Sequence, residues 1–183
     1  LRMIEADSRF DHFPGRLRRP EFSIRLLNEI RGIEPAVLFV VQAIAAAGEL
    51  DMTQRVRIGT AVASAIFNCM CFGNLELDEN DDLVSRLLSG DRSGAKDLHR
   101  RASESPFRDR YIDLKVSVGR KDTRISVSHN GPGRVTRLKP APGTPESFEL
   151  EQCRGLMLIT SFMDEVVFHS GYSEVVMVKR HSE

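Results

Sequence analysis

GTAVASAIFNCMCFGNLE, residues 59–76, starts with the pattern of a helix and stops at a glycine, Gly73. Small and apolar side chains dominate it, so the helix is expected to be largely buried. Asn68 breaks that character: it is an amide in the middle of an apolar helix. A buried amide must find partners for both its oxygen and its nitrogen. Two roles meet that need. Asn68 is either a satisfied core amide bonded to a neighbouring loop, or an amide held toward a ligand or a metal. This stretch alone leaves both open.

The 183 residues around it suit one domain with a real core. Lys and Arg total 26 and Asp and Glu total 26, so the formal net charge is zero. That balance argues against a nucleic-acid binder, whose affinity comes mainly from excess cations meeting phosphates. Arg16, Arg18 and Arg19 read as a solvated terminal face. No apolar run is expected to span a bilayer, residues 37–47 being too short, and the start of the chain lacks a signal-peptide layout. The three cysteines, Cys69, Cys71 and Cys153, suggest a reducing compartment, hence the cytoplasm. Cys69 and Cys71 are two apart on a helix and face different ways. A zinc site from Cys71, Cys153 and His129 therefore lacks a supporting ligand-pair spacing.

Residues 1–20 show no period and read as an arm or partner-binding segment, separate from a domain over 21–183. Residues 21–28 alternate apolar Phe22, Ile24 and Leu26 with polar neighbours, as a half-buried strand does. Gly32 ends it. Pro35 suits the start of an apolar helix that Gly48 stops. Asp51 or Thr53 then caps the helix carrying Asn68. Two surface helices are expected near Leu83–Leu88 and residues 94–105. Residues 110–118 and 123–128 both alternate with period two and are joined by a turn, the strongest hairpin signal in the chain. The second run ends in HNGPG, residues 129–133. Residues 134–152, with Pro140, Pro142 and Pro145, have no period and read as a lid. A helix over 153–163 and strands over 165–169 and 174–179 close the chain. This order predicts a two-layer α/β (α+β) sandwich: a mixed, mainly antiparallel sheet with helices on one face.

Three blocks carry a resemblance to a known family. SAIFNCMCFGNLE (64–76) is similar to a helix pattern E-A-x-x-N-A-x-x-H-G. HNGPG (129–133) is similar to a D-x-G-x-G turn after a strand. RGLMLITSFMDEVVF (154–168) is similar to a G-L-G-L helix start followed by an apolar helix and the phrase MDEV. In their order and spacing they resemble the histidine-kinase-like ATPase (GHKL) superfamily with its Bergerat-type ATP-binding fold, and within it the anti-sigma-factor serine/threonine kinases of bacterial partner switching. The resemblance spans about residues 21–180. It implies a nucleotide site using Asn68, His129, Asn130, Gly131, Gly133, Arg154 and Gly155. Asn68 would bind magnesium, and the glycines at the last helix would let backbone N–H groups approach the phosphates of ATP.

The same comparison exposes departures. The family's Glu, four residues before the Asn and on the same helix face, is Ser64, and a hydroxyl is no base near neutral pH. The helix His is Phe72. The turn Asp, which accepts from the adenine amino group, is His129, a larger and uncharged acceptor when neutral. The second glycine of G-L-G-L is Met157. Base, adenine acceptor and a phosphate-side glycine are thus all replaced, which opposes efficient phosphoryl transfer. The expectation is a kinase-like scaffold with weak or absent ATP and Mg binding and no catalytic residue. It would act on a protein partner, a sigma factor or an anti-anti-sigma-like protein, in the cytoplasm, with a homodimer allowed. The alternative is an active serine/threonine kinase with Glu76 or Asp78 as substitute base.

Overall fold

A computed structural model describes residues 21–47, 50–78, 81–132, 151–169 and 173–181, with the backbone alone for 151–153. The arm at 1–20 and the lid expected at 134–152 lie outside the described residues, apart from the lid's last two positions. Five strands make one open sheet: β1 (Glu21–Leu26), β2 (Ile112–Val118), β3 (Asp122–His129), β4 (Glu165–His169) and β5 (Glu174–Arg180). Their order is β1-β2-β3-β5-β4. All four pairings are antiparallel, in a sheet the sequence suggested would be mixed but mainly antiparallel.

Register puts the apolar half of each strand on one face. Ile24 pairs with Leu114, Leu114 with Val127, and Val127 with Val175. Ile112, Leu114, Ile125 and Val127 are completely buried. On the opposite face stand Arg25, Asp113, Lys115 and Arg124, and Arg25 bonds Asp113 at 2.9 Å across the β1–β2 pair.

Helices α1 (Ile33–Ala47), α2 (Met52–Asn68) and α5 (Glu151–Phe162) cover the apolar face. α2 is the central one, packed on both α1 and α5. Asp51 caps it: its carboxylate accepts from the Gln54 N–H at 2.7 Å, and the Gln54 side chain accepts from the Asp51 N–H at 3.2 Å. That reciprocal box favours Asp51 over Thr53 as the cap. Gly59 lets α1 approach, since a Cβ there would already touch Val37 and Val41 at 3.4–3.5 Å. Two shorter helices, α3 (Asp82–Leu88) and α4 (Arg92–Ser103), pack on each other and bury Leu83, Val84, Leu87 and Leu98.

Contrary to the sequence expectation, two helical stretches are long and apolar enough to cross a bilayer by length and composition alone: Ile30–Ala47 and Met52–Asn74. Within this fold the second is a core helix, with Ile58, Val62 and Ile66 completely buried. The first buries only Ala36, Val40 and Ile44 and leaves Leu38 and Phe39 at the surface.

Candidate functional site

After Asn68 the helix widens. Residues Cys69–Asn74 form a π-helical turn, and the Leu75 N–H reaches back five residues to the Met70 carbonyl at 2.9 Å. Such wide turns inside helices often accompany functional sites. Every residue of the turn is buried. Burial pushes the Cys69 thiol up to about 12 and the Cys71 thiol higher still. Both are therefore inert core groups rather than thiolate ligands. No cluster of metal-binding side chains occurs among the described residues; the Cys153 side chain, third member of the zinc arrangement with Cys71 and His129, lies outside them.

The widened turn meets the end of β3. In register, His129 sits opposite Ile112 on the helix-covered face of the sheet. Its imidazole lies over Gly73, so that a Cβ on Gly73 would fall 2.5–2.6 Å from three ring atoms. Gly131 is pressed against the same turn: a Cβ there would lie 2.5 Å from the Gly73 carbonyl oxygen. Glycine is the only residue that fits at 131 without moving backbone, and at 73 without displacing the His129 ring.

One buried amide ties this junction together, and it is Asn74, not Asn68. Asn74 is fully buried. Its Nδ2 donates to Asn28 Oδ1 at 2.8 Å and to the Tyr111 carbonyl at 3.0 Å, and its Oδ1 accepts from the Gly131 N–H at 3.0 Å. Asn28, also buried, donates to the Arg110 carbonyl at 2.9 Å. Asn130 completes the frame, its Oδ1 accepting from the Tyr111 N–H at 2.7 Å. The end of α2, the end of β1, the entry to β2 and the glycine turn are thus held by a satisfied polar network, whose members rigidify one another. Sequence reasoning missed Asn74 and Asn28. Their signal was present: each is an Asn directly after an apolar run, where the backbone must turn and an amide can bridge it.

Asn68 itself is half-buried at the last residue of α2, on one helix face with half-buried Thr60 and Ser64. The expectation of a deeply buried amide is corrected accordingly. Its side chain packs on α5 at Gly155, where a Cβ would lie 2.9 Å from Nδ2 and 3.0 Å from Oδ1. Arg154 is exposed and Met157 half-buried on the same helix; Phe72 lies in the core. Gly133 lies outside the described residues. The fold therefore sets His129 and Gly131 against the turn that continues α2, and Asn68 at the end of α2 against Gly155 of α5.

Glu76, the substitute base considered from sequence, is engaged elsewhere. Its Oε1 accepts from Arg110 at 2.6 Å. That guanidinium also donates to the Asn74 carbonyl and lies 5.0 Å over the Phe107 ring. A carboxylate held by a largely buried Arg is a structural anchor rather than a free base. Asp78 lies two residues further and is exposed.

The MDEV phrase has a structural cause. Asp164 accepts from Lys179 Nζ at 2.9 Å and from the Arg180 N–H at 2.6 Å, pinning the end of α5 to β5. Burial alone would raise its pKa, but the hydrogen bonds and charges of Arg180 and Lys179 outweigh that and hold it below the usual carboxylate value.

A family model described as the histidine kinase-like ATPase domain matches residues 33–179. No match is found among the curated proteins.

Proposed function

From the premise that the chain belongs to the histidine kinase-like ATPase family, we propose that it is an anti-sigma-factor kinase-like regulator of bacterial partner switching. It acts by holding a protein partner, and it binds Mg-ATP weakly or not at all. The observation that carries this reading is the pair Ser64 and Glu76. The helix face of Asn68 presents a hydroxyl where such kinases need a carboxylate. The carboxylate that follows the helix is bound to Arg110.

If nucleotide binds, the family resemblance assigns it to Asn68, His129, Asn130, Gly131, Gly133, Arg154 and Gly155. Bound Mg-ATP would supply the phosphoryl group and the cation that steadies it. The side chains fit it poorly. The His129 ring is laid over Gly73, and the Asn68 amide is packed on Gly155. Partner binding is supported by the apolar side chains left at the surface, Leu38 and Phe39 on α1 and Met52 and Val56 on α2. On this reading the partner is a sigma factor or an anti-anti-sigma-like protein in the cytoplasm, and a second copy of the chain could share the same face.

The alternative, an active ATP-dependent serine/threonine kinase, draws on the survival of Asn68, Gly131 and Gly155, with Asn68 against Gly155 and Gly131 against Gly73. Co-purification of the chain with sigma factors and anti-anti-sigma-like proteins of its own genome separates the two. We expect a complex that forms without ATP, leaves the partner unphosphorylated by mass spectrometry and survives Ser64→Ala. A phosphoserine or phosphothreonine on the partner, appearing only with Mg-ATP, would establish the kinase instead.

A further inference from the structure

A groove runs between the connection that follows β1 and helix α4. Its larger part, about 330 Å³, is lined by apolar Ile30, Ala95 and Leu98 and by charged Arg31 and Lys96. A second depression of about 190 Å³ adjoins it, sharing Glu29 and His99 and adding Leu27. None of these residues belongs to the three blocks that build the nucleotide-side junction.

Three features say what the groove would take. The first is charge. Glu29 is the single carboxylate lining either part, against Arg31, Lys96, Arg108 and Arg110, of which Arg108 pairs with Asp109 and Arg110 with Glu76. Among the described residues neither Arg31 nor Lys96 is in an ion pair. The chain as a whole is neutral, so this cation excess is local. The second is apolarity. Leu27 is 63% exposed beside the groove, a large side chain that gains by being covered. The third is shape. From Ala95 to Ser103 α4 rises about 12 Å, the length of about four extended residues. The buried amide that reaches the groove, Asn28, already spends its Nδ2 on Arg110 and its Oδ1 on Asn74. A compact small molecule would find no free buried polar group to orient it, whereas a peptide with alternating side chains meets the apolar and cationic residues in turn.

We propose that this groove binds an extended acidic segment of a partner protein, in which carboxylates alternate with apolar side chains. The groove backs onto the Asn74 network through Asn28 and Arg110, but its open lining of Arg31, Lys96 and Leu27 does not depend on how the nucleotide side is read. The test is an amide-resolved NMR titration of the full chain at low salt with the blocked peptide Glu-Leu-Glu-Leu-Glu. Saturable shifts are expected at Ile30, Arg31, Lys96 and His99. The double variant Arg31→Glu, Lys96→Glu should weaken binding by about tenfold or more, since like charges replace opposite ones. Glu-Ser-Glu-Ser-Glu should bind more weakly, and Lys-Leu-Lys-Leu-Lys should leave these amides unmoved. Both altered side chains are exposed, and the milder Lys96→Gln, with an intermediate loss, keeps the test valid if the double variant is poorly dispersed. Shifts centred elsewhere, no saturation, indifference to charge reversal, or displacement of the peptide by Mg-ATP would each overturn the proposal.

Discussion

Gly131 and Gly155 are both glycines at close approaches, yet what stands opposite differs. Opposite Gly131 is backbone, the Gly73 carbonyl, 2.5 Å from where a Cβ would sit. Opposite Gly155 is the far end of the Asn68 side chain, which can rotate away. Gly131→Ala is therefore expected to destabilise by about 2–3 kcal/mol, as forced overpacking does. Gly155→Ala should stay within about 1 kcal/mol, because the gain in helix propensity offsets the small displacement. Urea unfolding of the two variants checks this, and equal losses would mean that α5 is as immovable as the Gly73 carbonyl. The two amides of the site divide in the same way. Asn74→Ala strips partners from the Gly131 N–H, the Asn28 amide oxygen and the Tyr111 carbonyl, all at a buried point. It should cost about 3 kcal/mol, at the upper end for orphaned buried groups, and clearly more than Asn68→Ala at a half-exposed position. A melting series in which Asn68→Ala proves the costlier would refute this division. The sequence could not rank these amides, because each sits next to an apolar run and only the fold decides which one the chain closes over.

Local patterning made most of the elements legible. The hairpin of β2 and β3, the two closing strands and the helices came through as period-two or period-3.6 runs, because one face of each meets the core. The widened turn at Cys69–Asn74 did not. An apolar helix that is buried all round gives no phase from which a change of pitch can be read. The joint between α5 and β5 was visible only as the phrase MDEV; its cause is the pair of bonds to Asp164. Those bonds make a pH prediction with a definite sign. The folded state holds Asp164 below its ordinary pKa, so the ionised carboxylate favours folding. That contribution is complete above the unfolded value of about 3.9. It fades as pH falls through the lower folded value. Asp164→Asn should thus lower Tm at neutral pH by a modest amount, since the side chain is 35% exposed. The difference from wild type should shrink at acid pH. A difference that widens on acidification would mean that Asp164 is not stabilised as an anion.

Across the whole molecule, α2, the end of β3 and α5 each carry a replaced position: Ser64, His129 and Met157. If side chains alone block nucleotide, the triple variant Ser64→Glu, His129→Asp, Met157→Gly should gain ATP binding, because the imidazole over Gly73 and the Met157 side chain are removed together. A folded triple variant that still ignores ATP would place the obstruction in the backbone instead. The unaltered chain offers the most direct measurement: calorimetric titration with Mg-ATP. A scaffold that kept its fold and lost its nucleotide chemistry should give a dissociation constant in the high micromolar range or no heat of binding at all. A submicromolar constant would contradict that account and make the chain a working ATP-binding kinase domain.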